Sequence, residues 1–208
     1  MGFALAATLL ILSPGPDTML VMRNSLRGGS RVGVCTAAGT MTGLLTWAVG
    51  AALGLSSLLA ASRVGYDVLR LIGAAYLIWL GATSLLPRLR ARNRTGDNRE
   101  RAVARRPVLG LRRAYLNGVI SNICNPKLAV FFVAFLPGFI PHGTSIRGFS
   151  LLLGIWFALE TGVWLVTLVW MTNRGVGWLS RPGMQRRLER LTGLVLVGFG
   201  VRLAIETR

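Results

Sequence analysis

Long apolar runs, almost free of charge, alternate along this 208-residue chain with short basic gaps. Six runs are read, at about 2–22, 33–61, 67–86, 114–140, 148–172 and 191–206. Most reach the ~20 residues that carry a helix across a ~30 Å hydrocarbon core. The pattern predicts an all-α, polytopic membrane protein with six transmembrane helices. The sixth run is short and contains Arg202, which snorkels toward the interface from near the helix end. One clear composition shift interrupts the series at 87–113, where Pro87 is followed by ten arginines interspersed with Asn93, Asp97, Asn98 and Glu100. It reads as a flexible basic connector between a first three-helix unit, 1–86, and a second, 114–208.

Two of the runs are broken by proline. The first contains Leu12-Ser13-Pro14-Gly15-Pro16-Asp17 and the fourth Cys124-Asn125-Pro126-Lys127, so each break has a charge directly after the proline. Proline removes a backbone donor and clashes with the preceding turn, forcing a kink or an unwound stretch. In hydrocarbon the freed carbonyls need new partners, which confines such breaks to protein-buried or water-lined places. Broken helices at corresponding positions of two halves mark the binding site of a transporter.

Arginine sets the orientation. Arg23, Arg27 and Arg31 follow the first run, ten arginines fill the connector, and Arg174, Arg181, Arg186, Arg187 and Arg190 follow the fifth. The opposite side has Arg63, Arg147 and Arg208, with Arg70 and Arg202 near helix ends. The positive-inside rule places the richer face in the cytoplasm and both termini outside. Three spans per unit make the second unit enter from the opposite face, so the two form an inverted repeat. Superposing Pro16 on Pro126 sets Asp17 against Lys127.

The net charge of +17 raises nucleic acid as a partner. The arginines lie in the gaps between runs, however, and read as topology determinants facing anionic lipid heads. No nucleic-acid partner is expected. Cys35 and Cys124 sit in separate apolar runs without a CxxC, which leaves thiol–disulfide transfer without a reactive pair. His142 is the only histidine, so no metal site and no cofactor are expected. The start of the chain lacks the charged leader and cleavage pattern of a signal peptide, and residues 3–12 read as half of a membrane helix. Two small-xxx-small pairs, Gly39 with Gly43 and Gly50 with Gly54, and the small faces at Gly73-Ala74-Ala75 and Gly81-Ala82, suit close helix packing. Of the six tryptophans, Trp178 fits an interfacial belt.

Few residues offer chemistry. Asp17 falls in the central third of the membrane, where a carboxylate must be paired, protonated or wet; a cap on the restarting helix is the structural alternative. Lys127, the only basic residue among the 24 that is not arginine, lies at similar depth. It is either part of a binding site or half of a static pair with Asp17. Ser13, Asn117, Asn122 and Asn125 add uncharged hydrogen bonds near the breaks. Glu160, inside the fifth run, either carries a proton or pairs with an arginine such as Arg70. Asp67 and Arg70, one turn apart, read as a local pair.

These residues, in this order, resemble the lysine exporter/RhtB family of amino-acid efflux proteins. The resemblance rests on Ser13-Pro14-Gly15-Pro16-Asp17, Arg27-Gly28-Gly29, Gly73-Ala74-Ala75-Tyr76-Leu77 with Trp79-Leu80-Gly81, and Asn117-Gly118. It continues through Asn125-Pro126-Lys127, Phe135-Leu136-Pro137-Gly138-Phe139, Leu191-Thr192-Gly193 and Gly198-Phe199-Gly200-Val201-Arg202. The lead-in before Ser13 is several residues shorter than is usual in that family. What the resemblance implies is no enzyme but a six-span inner-membrane exporter of amino acids driven by the proton gradient. A zwitterionic substrate needs an acceptor for its ammonium and donors for its carboxylate. Asp17 and the carbonyls released by Pro14 and Pro16 suit the first, Lys127 and the amides after Pro126 the second. Ser13, Gly15 and Asn125 complete the expected substrate site; Asp17 and Glu160 are the candidates for proton coupling. Met19, Met22, Trp47, Phe131 or Trp164 are candidates to line the side-chain pocket. An efflux carrier for another small metabolite or a cation is the competing reading, and a homodimer stays open.

Overall fold

The computed structural model describes residues 2–12, 15–85, 109–141, 143–175 and 182–205. Ser13, Pro14, His142, Trp178 and most of the basic connector lie outside the described residues. Among those described, the secondary structure is helical throughout. Helix α1 spans Gly2–Leu12, α2 Pro16–Ala61, α3 Arg63–Leu85 and α4 Leu111–Ile123. Helix α5, Pro126–Val130, continues into a π-helical turn, Phe131–Phe135, and a 3-10 turn, Leu136–Phe139; α6 spans Ile146–Asn173 and α7 Pro182–Ile205.

Both proline breaks are present, and the local chemistry explains their form. Pro16 is the first residue of α2 and Pro126 of α5. A proline there has the right φ and lacks only an amide that would have had no helical partner. The Gly15 carbonyl accepts the first bond of α2, from the Met19 amide at 3.1 Å. Asn125 caps α5 by accepting the Lys127 amide on its side-chain oxygen at 3.1 Å. Ser62 and Ser145 cap α3 and α6 through the amides of Gly65 and Gly148.

The helix boundaries depart from the hydropathy pattern in two places. The basic gap between the first two runs is itself helical, and only Gly29, at φ 74° and ψ −175°, breaks α2. Glycine alone takes that conformation without cost. The polar residues before it are not solvated loop: Asn24 and Ser25 are each 1% exposed. The last helix begins at Pro182, within the arginine-rich segment, well before the apolar run at 191. Among the described residues, three helices are long and apolar enough to span a membrane, Pro16–Gly54, Asp67–Leu85 and Ile146–Asn173. Leu111–Ile123 with Pro126–Phe139 forms a fourth, bent by 50° at the break. Phe3–Leu12 and Gly193–Ile205 are apolar but shorter than a span.

Helix α2 packs along both α4 and α6, and α3 packs along α7. The first contact is close because two glycines meet it. A Cβ on Gly39 would lie 2.0 Å from the Tyr115 carbonyl oxygen, and one on Gly118 2.2 Å from that of Thr36. Gly50 and Gly54, by contrast, face open space. A large apolar cluster gathers Phe3, Leu10, Phe131, Phe132, Phe135 and Phe157, with Phe131 stacked on Phe157 at 4.6 Å. A smaller one joins Val21, Met22, Ala37, Leu165, Leu168 and Val169. The candidate site lies where the two clusters meet. Arg70 and Asp67 form the expected local pair, at 3.6 Å.

Candidate functional site

The two breaks face each other across a cavity of about 40 Å³ lined by Leu10, Gly15, Asp17, Asn122, Asn125 and Lys127, with Phe157, Thr161, Trp164 and Leu165 from α6. At ~10–15 Å³ per water it has room for a few water molecules and for no amino acid.

Each charge reaches across to the other broken helix. One carboxylate oxygen of Asp17 accepts the Ser121 hydroxyl at 2.7 Å. The other accepts the Asn122 and Asn125 amide groups, each at 3.1 Å. The Lys127 ammonium donates to the Leu10 carbonyl at 2.9 Å. That carbonyl lies four residues before Pro14, whose ring nitrogen has no proton for it, so the lysine satisfies an acceptor that the break releases. The same logic holds at the second break. Asn122, four residues before Pro126, offers its carbonyl to the Trp47 indole at 3.3 Å and to the Asn125 amide at 3.1 Å. Asn125 thus has two tasks, since its oxygen caps α5 while its amide nitrogen holds Asp17.

A second, shallower groove of about 400 Å³ runs beside the cavity, lined by Pro16, Met19, Leu20, Arg23, Asn117, Ile120 and Ser121. Ser121, whose hydroxyl is on Asp17, connects it to the charged pair. Of the residues expected to shape a side-chain pocket, Trp164 lines the cavity and Met19 the groove. Met22 and Phe131 are buried in the apolar clusters, and Trp47 supports Asn122.

Glu160 stands apart from the cavity lining. Its Oε1 is hydrogen-bonded to the Thr8 hydroxyl of α1, and its Oε2 is buried without a hydrogen-bond partner. Sequence reasoning passed over Ser121 and Thr8. The signal for Thr8 was available, because it is the single polar side chain in α1. Its partner, 152 residues away, was not. Among the described residues no three His, Cys, Asp or Glu side chains converge, and Cys35 and Cys124 are free thiols.

The arrangement presents one carboxylate, one ammonium and several neutral hydrogen-bonding groups at the junction of two broken apolar helices. Comparison with known proteins agrees with that picture. Along its length the chain is 32% identical to the uncharacterized membrane protein YrhP of Bacillus subtilis, over 96% of this chain and 95% of that protein. It is 30% identical to the homoserine/homoserine lactone efflux protein of Salmonella typhimurium, over 97% of this chain and 94% of that protein. No solved structure matches. The family model of the LysE type translocators matches residues 8–207, and the chain belongs to that family of membrane transport proteins.

Proposed function

We propose that the protein exports amino acids or close derivatives across the inner membrane, driven by the proton gradient, with Asp17 and Lys127 addressing opposite ends of the substrate. The observation that carries this reading is the reciprocal docking of the two charges. Each follows the proline that restarts its helix, and each is held by the first half of the other broken helix. That exchange suits two inverted three-helix units related by a pseudo-two-fold axis through the cavity. The substrate ammonium replaces a neutral donor on Asp17, and its carboxylate takes the Lys127 ammonium from Leu10. Both replacements form charge-assisted bonds, stronger than the neutral ones they displace. The cavity must open to admit the substrate, and rocking one unit against the other opens it from either side. Gly15 and Pro16 on one break, and Asn125 and Pro126 on the other, form the backbone and cap framework of this site. Ser13 and Pro14, outside the described residues, belong to the proposed site by their place in the sequence.

The homoserine/homoserine lactone efflux protein among the relatives directs the first choice of substrates. Purified protein in vesicles, loaded with a panel that includes homoserine, its lactone and charged and apolar amino acids, should show counterflow exchange of at least one amino acid. Asp17→Asn and Lys127→Met should each slow it roughly ten- to hundredfold, the equivalent of one charge-assisted hydrogen bond of ~1.5–3 kcal/mol. Exchange of a simple cation or an unrelated metabolite, with none of any amino acid, would sink the reading.

A further inference from the structure

We propose that Thr8 and Glu160 form a proton-carrying site, separate from the substrate cavity and joined to it through helix α1. The proposal rests on the export reading and adds to it the place where the driving proton is held.

The argument begins with a count of protons. The Thr8 hydroxyl lies 2.9 Å from the Ala4 carbonyl and is also bonded to Glu160 Oε1. A threonine hydroxyl has one proton and can donate only once. Thr83 donates that proton to the carbonyl three residues back, but the commoner acceptor among the described helical threonines is the carbonyl four back. Thr36, Thr42, Thr46, Thr161, Thr167 and Thr172 all use it. The Thr8 hydroxyl cannot serve both acceptors at once while Glu160 is a carboxylate, whereas a proton on Glu160 lets both contacts be hydrogen bonds. On this proposal the arrangement holds a proton on Glu160, its O–H donated to Thr8. Its second oxygen agrees, because Oε2 is buried without a hydrogen-bond partner. A carboxylate would leave that charge unsolvated.

Among the described residues, the charged groups near this part of α6 include Asp17 and Lys127 in the cavity and Arg202, which lies over the Phe139 ring. Helix α1 has no titratable residue. Gly154 and Gly162 of α6 pack on Ala48 and Met41 of α2, and the stretch of α2 between them is uncharged. Arg23, Arg27 and Arg31 lie toward the other end, where Gly33 meets Val169. The 3-10 turn Leu136–Phe139 is apolar. Asp17 and Lys127 face the neighbouring turn of α6 from the cavity, beside Thr161 and Trp164.

Coupling follows from where these contacts fall on α1. Thr8 holds the proton site, and two residues on, the Leu10 carbonyl holds Lys127. One short helix thus touches both the proton and the substrate-binding ammonium. Loss of the Glu160 proton to water leaves a buried carboxylate and the Ala4 carbonyl competing for the single Thr8 proton, with Oε2 still without a partner. The α1–α6 contact then weakens, and with it the grip of Leu10 on Lys127. A proton arriving from the other side restores the O–H and re-forms the contact. A single proton is exchanged with water at each end of the cycle, and no other covalent bond is made or broken.

The test uses the full-length protein in vesicles and two readouts per inserted transporter. One is amino-acid exchange at equal pH, which reports the export function alone. The other is uphill efflux driven by an imposed pH gradient. Glu160→Gln should keep exchange within about twofold and lose gradient-driven efflux at least tenfold. Thr8→Val should lower gradient-driven efflux at least fivefold and move the pH of half-maximal rate, whereas Thr8→Ser should restore both. Undiminished gradient-driven efflux in Glu160→Gln overturns the proposal. If that variant does not insert, a Thr8→Val protein with the parent rate and pH profile overturns it instead. Absence of amino-acid exchange in the parent protein is a different result, and it removes the export reading itself.

Discussion

At the scale of single residues, Asn125 shows how one side chain serves both the fold and the site. Its oxygen caps α5 and its amide nitrogen holds Asp17. The two tasks separate by substitution. Asn125→Asp keeps an acceptor for the cap but removes the donor and sets a second carboxylate against Asp17. It should retain thermal stability in detergent and lose transport. Asn125→Ala removes the cap as well, and should lower stability by about 1 kcal/mol, within the ~0.5–2 kcal/mol typical of a lost cap. Equal stability of the two variants would mean that the cap contributes nothing. The prolines, Asp17 and Lys127 were legible in the sequence because proline chemistry acts locally and a charge in an apolar run is conspicuous. Ser121 and the Thr8–Glu160 bond were not. They depend on contacts between residues more than a hundred positions apart, 104 for Ser121 and Asp17, which no local pattern encodes.

Among the helices, glycine separates into two kinds that look alike in the sequence. Gly39 belongs to a contact in which a methyl group has no room, whereas Gly50 faces open space. Gly39→Ala should force α2 and α4 apart and cost about 1–3 kcal/mol, as overpacking does. Gly50→Ala should be neutral or slightly stabilising through its better helix propensity. Unfolding in detergent, followed by circular dichroism, distinguishes them; equal midpoints would contradict the close α2–α4 contact. Hydropathy located the helices but misplaced several of their ends, for a physical reason. An apolar run marks what lies in hydrocarbon, and a helix does not stop where hydrocarbon does. The stretch from Arg23 to Gly28 can be polar and helical because Asn24 and Ser25 find partners within the protein. Asn24 donates to Thr36, and Ser25 accepts from Asn173.

For the molecule as a whole, the distribution of arginine predicts an orientation for the bundle. Single cysteines placed at positions 95 and 180, in a background without Cys35 and Cys124, should label only after the membrane is permeabilised; one at 144 should label from outside in intact cells. Equal external labelling at all three positions would reject the six-span arrangement with both termini out. The order in which the chain is made adds a constraint on assembly. Helix α1, Gly2–Leu12, is apolar apart from Thr8 and packs on segments remote from it in sequence. Its main packing partners, α6 and α7, lie in the second half of the chain. During synthesis α1 lacks its main packing partners until α6 has left the ribosome, so an early segment of the chain completes its packing late. A cysteine at position 8 should therefore be open to alkylation in nascent chains that stop before Ile146 and protected in the finished protein. Quality control that senses an undocked α1 reads, in one contact, whether the whole second half has arrived.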